Sequence, residues 1–304
     1  MSHPVHPITA RPMLGPADLQ LLLAFGRYFY LTAAQLTRLL YAPTSHTYAQ
    51  ARLKRLADGG YLQRIFLPRP SRTGSAPLVY TLARRGLRAL DQWGQPVARR
   101  YRPAEVRDTS YLHLAHTLAL NDLLIALECF CRREPRVTIA GRRHERELKL
   151  RPVRVQLPDG TRAGVIPDAW LDLRLGNRYQ ECYVVELDRG TTEQKAWRRK
   201  LAALVAYSDG PYQVAFGTPS LTIVVATPNE ERCRQLLRWT EAELRAIQRE
   251  DAAELVRLTG AQPGGDDPAG IFEGAVWWTP FASTPGPLLD LRDVAADNVQ
   301  EVAP

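Results

Sequence analysis

Three carboxylates in the middle of the chain could converge across two neighbouring strands. Asp168 follows Pro167, and Glu186 and Asp188 lie two residues apart in an apolar segment. Side chains of a strand alternate between its faces, so Glu186 and Asp188 are expected on the same side. Converging carboxylates bind Mg²⁺ or Mn²⁺, which activates a water and neutralises the leaving oxygen. Asp168, Glu186 and Asp188 are therefore the expected metal ligands and catalytic acids.

Lys200 is the fourth catalytic candidate. Only four of the 40 basic residues are lysines, and two of these, Lys195 and Lys200, lie in the helical segment that follows Asp188. At 100° per residue, Lys200 falls beside the apolar stripe of that helix and Lys195 points nearly opposite. A second interpretation stays open, in which the acids are turn, strand-end or ion-pair residues and Lys200 is a solvated helix residue.

The segments that must position these residues follow in the order α-β-β-β-α-β. The second helix has Thr191 and Gln194 at the spacing of a capping box. Alternating and 3.6-residue apolar patterns predict the elements, and one further strand is predicted near the C-terminus. The predicted segments are 111–130, 137–145, 164–175, 180–188, 191–207, 221–226, 229–248 and, for the last strand, 271–278.

This order, with acids on the second and third strands, resembles the PD-(D/E)XK nuclease superfamily, an α/β (α+β) fold of the restriction-endonuclease type. The resemblance implies bound Mg²⁺ or Mn²⁺ and nicking or cutting of DNA. The superfamily pattern has a lysine two residues after the second acid, where this chain has Asp188. In some members that lysine comes from the following helix, where Lys200 lies.

The first hundred residues are predicted to form a winged helix-turn-helix. Three short helical patterns, the second capped by Thr32, precede two alternating segments, 61–67 and 77–82, and a fourth helix, 83–93. The basic loop between the two strands would form the wing. Winged helices also serve as protein–protein modules, and this alternative stays open.

The third helix and the wing form the predicted DNA-binding surface. A helix fits the major groove, where its polar side chains reach base edges, while arginines of a loop mostly bind phosphates. Four residues of the helix are assigned to its apolar side: Tyr48, Ala51, Leu53 and Leu56. The predicted contacts with double-stranded DNA are His46, Thr47, Gln50, Arg52, Lys54, Arg55, Arg64, Arg69 and Arg72.

The charge of the chain favours a polyanionic partner. Its formal net charge is +8, and residues 45–100 contain eleven basic residues against two acids. We identify no membrane-spanning segment or signal peptide and expect a cytoplasmic protein. The four cysteines lack CxxC spacing, which argues against a zinc site and against structural disulfides. The sequence contains no Gly-rich Walker loop, so an ATPase is not expected.

Residues 15–245 as a whole resemble the replication-relaxation family of plasmids and integrative elements. The resemblance implies a role in plasmid or mobile-element replication or mobilisation, and replication or transfer proteins as further partners. On the first central helix, the two histidines are expected to be partly buried, and Tyr207 is expected in the core rather than as a nucleophile. The matching residues are His113, His116, Asn121, Asp122, Pro167 to Ala169, Glu186 to Thr191, Lys200 and Tyr207.

The sequence predicts two alternative functions and a division of the chain into five regions. The first is a site-specific DNA-binding protein with a metal-dependent nicking or cleaving centre, and the second is a non-catalytic replication initiator or regulator that keeps the nuclease fold. A homodimer is a further hypothesis, because winged-helix proteins often dimerise. The regions are an N-terminal arm (1–14), the winged helix-turn-helix (15–100), a linker (101–110), the nuclease-like domain (111–249) and a C-terminal extension (250–304) with one strand and an acidic tail.

Overall fold

The computed structural model describes residues 13–66, 78–95, 97, 110–263, 267–292 and 294. The chain divides into two units, residues 1–125 and 126–304. The division falls inside one long helix, 111–133, so the first part of this helix belongs to the first unit. Nearly all of the predicted N-terminal arm and linker lies outside the described residues.

The first unit has the predicted succession of three helices, a hairpin and a fourth helix. Its small sheet has the order β1-β3-β2, and both pairings are antiparallel. The loop between β2 and β3, with Arg69 and Arg72, lies outside the described residues. The elements are α1 (Pro16–Tyr28), β1 (Leu31–Thr32), α2 (Ala33–Leu40), α3 (His46–Asp58), β2 (Leu62–Phe66), β3 (Leu78–Leu82), α4 (Arg84–Gln92) and the start of α5 (Tyr111–Arg133).

The predicted cap of α2 is confirmed. Thr32 Oγ1 accepts a hydrogen bond from the backbone N of Gln35 at 3.2 Å, and the Gln35 side chain accepts one from the backbone N of Thr32 at 3.1 Å. This reciprocal pair satisfies two of the backbone donors that a helix leaves open at its N-terminus.

The core-facing side of α3 differs from the prediction. Ala49, Leu53 and Leu56 are buried, whereas Tyr48 is 51% exposed and Ala51 is exposed. Positions 49, 53 and 56 are separated by four and three residues and therefore share one face of a helix. The assignment of Tyr48 and Ala51 to the apolar side was wrong, because a helix of this phase turns both outward.

One buried acid connects α1 to α3. Asp18 of α1 is 1% exposed, and its carboxylate accepts hydrogen bonds from Arg52 at 2.7 Å and from Arg55 at 2.6 Å. Burial raises the pKa of Asp18, but hydrogen bonds from the backbone N of Gly15 and from the two arginines outweigh burial and lower the pKa below its ordinary value. The two helices are therefore held together by charge as well as by apolar packing.

Asn121 of α5 supports a strained turn at the end of α1. Phe29 has a φ of 63°, in the left-handed region that side-chain-bearing residues rarely adopt. The amide nitrogen of Asn121, a fully buried residue, donates to the carbonyl oxygens of Tyr28 and Tyr30 at 3.0 and 2.7 Å. Both carbonyls beside the strained residue are thus satisfied by one side chain.

The second unit is built on a five-stranded mixed sheet of order β10-β9-β8-β7-β4. β7 pairs antiparallel with β4 and β8, while β9 pairs parallel with β8 and β10. The predicted order α-β-β-β-α-β is found as α5-β4-β7-β8-α7-β9. The elements are β4 (Val137–His144), α6 (Glu145–Leu148), β5 (Val153–Gln156), β6 (Arg162–Val165), β7 (Ala169–Leu175), β8 (Tyr179–Leu187), α7 (Gln194–Ser208), α8 (Pro211–Phe216), β9 (Thr222–Ala226), α9 (Glu230–Ala246), β10 (Val256–Thr259) and α10 (Gly270–Glu273).

One face of this sheet is covered by α7 and α9. Trp197, Leu201 and Leu204 of α7 are buried with Val184 of β8 and Leu236 of α9 in one apolar cluster. The amphipathic pattern of residues 191–207 predicted a helix with this apolar stripe, and α7 confirms the stripe. The side chains that β7 and β8 direct to this face are therefore screened from water by α7.

The second unit differs from the prediction in several details, and β5, α6, α8 and β10 were not predicted as separate elements. The segment 164–175 is split into β6 and β7, because Pro167 lacks the N–H that a continuous ladder needs. The N-cap of α7 is Glu193, not Thr191. The segment 271–278 contains α10 instead of a strand, and only an isolated bridge joins Trp278 to Leu258 of the edge strand β10.

Helix α5 is long and apolar enough to cross a membrane by length and composition alone. In the structure, 61% of its most apolar window is buried, as in the core helix of a soluble protein.

Replacing Asn121 by alanine is expected to destabilise the first unit by about 2 kcal/mol, because two carbonyl groups lose their buried donor and the strain at Phe29 loses its support. Urea unfolding followed by circular dichroism measures this loss. Gln92→Ala, which removes an exposed amide of α4 in the same unit, is the matched control. Equal stability of the two variants would contradict the assigned role of Asn121.

Asp18→Asn is expected to lower the free energy of unfolding at pH 7 by about 2 kcal/mol, since it leaves Arg52 and Arg55 without their shared counter-charge. The folded pKa of Asp18 lies below its value of 3.8 in the unfolded chain, so the stabilisation is present above about pH 4 and is lost as the pH falls through the folded pKa. The stability difference from wild type should therefore shrink in acid. Asp91→Asn, an exposed change on α4, should show neither effect.

Candidate functional site

The register of β7 and β8 brings Asp168 and Glu186 side by side. Ala169 pairs with Val185, and the backbone N of Asp168 donates to the carbonyl oxygen of Val185 at 3.0 Å. Asp168 is thus opposite Glu186 across the antiparallel pair. Because directly opposed residues point to the same face, both acids lie on the face that α7 covers. We call Asp168 and Glu186 the acid pair.

Both members of the acid pair are buried. Asp168 is 7% exposed and Glu186 is 1% exposed. The Asp168 carboxylate accepts a hydrogen bond from the backbone N of Leu187 at 2.7 Å, which fixes its orientation at the end of β8. Burying a carboxylate is costly unless charges and donors compensate it, so two such groups in contact with each other's strand need a nearby cation.

Lys200 of α7 supplies that cation. Its Nζ forms an ion pair with Glu186 Oε2, and its side chain remains 41% exposed. Burial lowers the pKa of Lys200, but the negative charges of Glu186 and Asp168 outweigh burial, and the pKa lies above its ordinary value. Lys200 therefore stays protonated at neutral pH, and the structure brings it to the acid pair as the sequence predicted.

Asp188 is engaged elsewhere. Arg232 of α9 binds its carboxylate with two nitrogens, at 2.7 and 3.1 Å, and the backbone N of Gly190 donates to it at 2.8 Å. Burial raises the pKa of Asp188, but these hydrogen bonds outweigh burial and lower it. Asp188 was expected as a third metal ligand. The structure instead gives it a structural partner, which secures the chain after β8.

The acid pair offers the small number of carboxylate ligands that a magnesium ion requires from a protein. Within the described part of the chain, no group of three or more His, Cys, Asp or Glu residues is arranged to hold a metal ion. Mg²⁺ is nevertheless often held by one or two protein carboxylates and completes its shell with waters and substrate phosphates. Asp168 and Glu186 match that minimal set, and Asp188 does not take part in it.

Glu145 is a further acid beside this site that sequence reasoning missed. Its backbone N donates to the carbonyl oxygen of Asp168 at 2.9 Å, and its carboxylate lies 2.5 Å from Lys149 Nζ. Its charge also contributes to the raised pKa of Lys200. Glu145 ends the first predicted strand, 137–145. Antiparallel pairing brings the end of one strand to the start of the next, and this was the signal that could have found it.

The predicted DNA-binding residues of α3 lie mostly at its surface. His46, Thr47, Gln50, Lys54 and Arg55 are exposed, and Arg52 is partly buried. We use the name outer face of α3 for five of its exposed residues: His46, Thr47, Gln50, Ala51 and Lys54.

The cations on and beside α3 are paired with acids. Arg52 and Arg55 share Asp18, as described above. Lys54 lies 3.4 Å and Arg64 2.6 Å from the carboxylate of Asp58. Four basic residues thus share two acids, and this surface keeps an excess of positive charge.

The predicted burial of the two histidines of α5 and of Tyr207 of α7 is confirmed. His113 and His116 are partly buried, and Tyr207 is 1% exposed. Burial raises the pKa of the Tyr207 hydroxyl, which argues against its use as a nucleophile. Asn121 braces the backbone, and Asp122 pairs with Arg38 of α2.

A comparison with protein families places the chain among known proteins. The family model described as replication-relaxation matches residues 26–218, which include α3, the acid pair and Lys200. No curated protein and no solved structure matches the chain. Because the family model covers more than half of the sequence, the chain belongs to the replication-relaxation family.

Proposed function

We propose that this protein binds DNA at specific sites during replication or mobilisation of a plasmid or other mobile element, and that its second unit nicks or cuts the DNA. The family membership supports the replication role. The observation that carries the nuclease activity is the convergence of the acid pair and Lys200 at one end of the sheet. The protein would act in the cytoplasm, where such DNA is found.

Each residue of the centre has a distinct role in this proposal. Asp168 and Glu186 would hold Mg²⁺ or Mn²⁺, with Asp168 oriented by the backbone N of Leu187. A bound ion of this kind activates water and stabilises charge on the leaving oxygen of a phosphodiester. Lys200 would exchange its contact with Glu186 for a contact with a phosphate oxygen, because its side chain is long, charged and partly exposed.

The first unit would deliver the DNA. Its outer face on α3 offers polar side chains of the kind that read base edges, and its cations suit the phosphate backbone. The four basic residues on and beside α3 share only two acids, so this surface keeps positive charge for the phosphates. Affinity should therefore fall steeply as the salt concentration rises.

A second candidate is a replication initiator or regulator that binds DNA without cutting it. The pairing of Asp188 with Arg232 favours this alternative, because it removes one of the three acids expected at the centre. The ion pair between Lys200 and Glu186 is also what a purely structural pair would form. Both candidates share the DNA-binding surface and differ only in the chemistry of the second unit.

The first experiment measures nicking of supercoiled plasmid that carries the DNA flanking the protein's own coding sequence, with Mg²⁺ or Mn²⁺. Asp168→Asn and Glu186→Gln keep side-chain size and remove charge, and each is expected to lower the cleavage rate at least about a hundredfold, since a metal centre supplies several kcal/mol. Asp172→Asn, the same change on the same face of β7, should cut like wild type.

The outcomes separate the two candidates. Metal-dependent cutting that both acid-pair variants lose establishes the nuclease. Salt-sensitive DNA binding without any cutting by wild type favours the non-catalytic candidate. Asp188→Asn adds a further test. This variant loses the ion pair with Arg232, so its free energy of unfolding should fall. The cleavage rate of the folded variant should stay near that of wild type.

Lys200→Met is expected to reduce cleavage by one to two orders of magnitude, because it removes the cation nearest the acid pair and keeps the length of the side chain. Lys195→Met, on the same helix and exposed, is the matched control. The rate is measured at saturating metal, so that a change in metal affinity does not mimic a change in chemistry. Equal rates for the two lysine variants would remove Lys200 from the mechanism.

A further inference from the structure

Tyr48 is a large aromatic residue on the exposed side of α3. Sequence periodicity assigned it to the core, yet 51% of its surface is accessible to solvent. At 100° per residue, Tyr48 borders the outer face beside Ala51 and Arg55. An apolar ring is therefore exposed in the first turn of α3, among polar side chains.

The position of the Tyr48 ring is fixed before any ligand arrives. Arg52 Nη1 donates a hydrogen bond to the Tyr48 hydroxyl, and Arg52 is itself bound to the buried Asp18. The ring of Tyr41 packs edge-on against it, with centroids 5.6 Å apart and an interplanar angle of 85°. A side chain held in this way loses little further conformational entropy when it contacts a partner.

The surroundings of Tyr48 suit the major groove of duplex DNA. Ala51 is at the centre of the outward side of α3, and a residue this small allows close approach of the helix to base edges. Thr47 adds a methyl group nearby. Lys54 and Arg55 supply positive charge on the same exposed side, which is complementary to phosphate. The apolar surface of Tyr48 therefore lies within a positively charged helix face.

We propose that Tyr48 is a specificity-determining residue whose ring contacts the 5-methyl group of a thymine in the major groove. The inference rests on the DNA-binding role proposed for the first unit. The thymine methyl is the one apolar group that base edges display in the major groove, and apolar side chains are what recognise it. Asp18 and Arg52 act as positioning residues for the ring.

The test begins with selection of a binding sequence. The full-length protein is used to enrich random duplex DNA, and each thymine of the enriched duplex is then replaced by uracil, which removes only the methyl group. Loss of one buried methyl contact corresponds to about a fourfold loss of affinity. Wild type is expected to show this loss at one thymine, and Tyr48→Ala to show no loss there.

Three variants separate the proposed contact from general effects. Tyr48→Phe keeps the ring and should retain the thymine preference. Lys54→Ala should weaken binding to all sequences and reduce its salt dependence. Tyr179→Ala removes a tyrosine of the second unit that is 49% exposed and should behave as wild type. Circular dichroism checks that each variant folds, which the exposure of Tyr48 leads us to expect.

The result that overturns the inference is the same uracil effect in wild type and in Tyr48→Ala. Enrichment of no sequence by a wild-type protein that still binds duplex DNA overturns it as well, because no base would then be read. Absence of duplex binding by wild type is a different failure, since it removes the proposed DNA-binding function itself.

Discussion

The antiparallel register of β7 with β8 is the constraint on which the candidate centre depends. It sets Asp168 against Glu186 and directs both to the face under α7. A slip of one residue in either strand would move its acid to the opposite face, away from Lys200. The register is held by apolar residues on the same face as the acids, since Trp170 and Val184 are buried in the cluster beneath α7 and α9.

At this end of the sheet, two helices supply the cations that compensate the buried acids. Lys200 from α7 compensates Glu186, and Arg232 from α9 compensates Asp188. The two pairs differ in kind, because Arg232 binds through two nitrogens with its side chain 10% exposed, whereas the Lys200 side chain is 41% exposed. A point charge at the surface is easily exchanged, while a bidentate buried pair is not. The Lys200 pair can therefore open more readily than the Arg232 pair, which secures the fold.

Paired charge also organises the first unit. Asp18 fixes Arg52 and Arg55 against α1, and through Arg52 it fixes the ring of Tyr48. The basic residues and the exposed aromatic ring of α3 are thus parts of one connected arrangement. Arg52, Arg55 and, through Arg52, the ring depend on the buried carboxylate of Asp18, so a residue outside α3 helps to position side chains of α3.

The sequence by itself determined the main helices and strands and the cap of α2, because periodicity and local hydrogen bonding act over a few residues. It also marked Asp168, Glu186 and Lys200 as candidates, through a resemblance of motif and the rarity of lysine rather than through periodicity. Pro167 in addition carried the signal that splits the predicted strand. Only the tertiary structure decided the partner of Asp188, since Arg232 is 44 residues away in the chain. It also decided the outward position of Tyr48, because the phase of a helix follows from what it packs against and not from the apolar character of one residue alone.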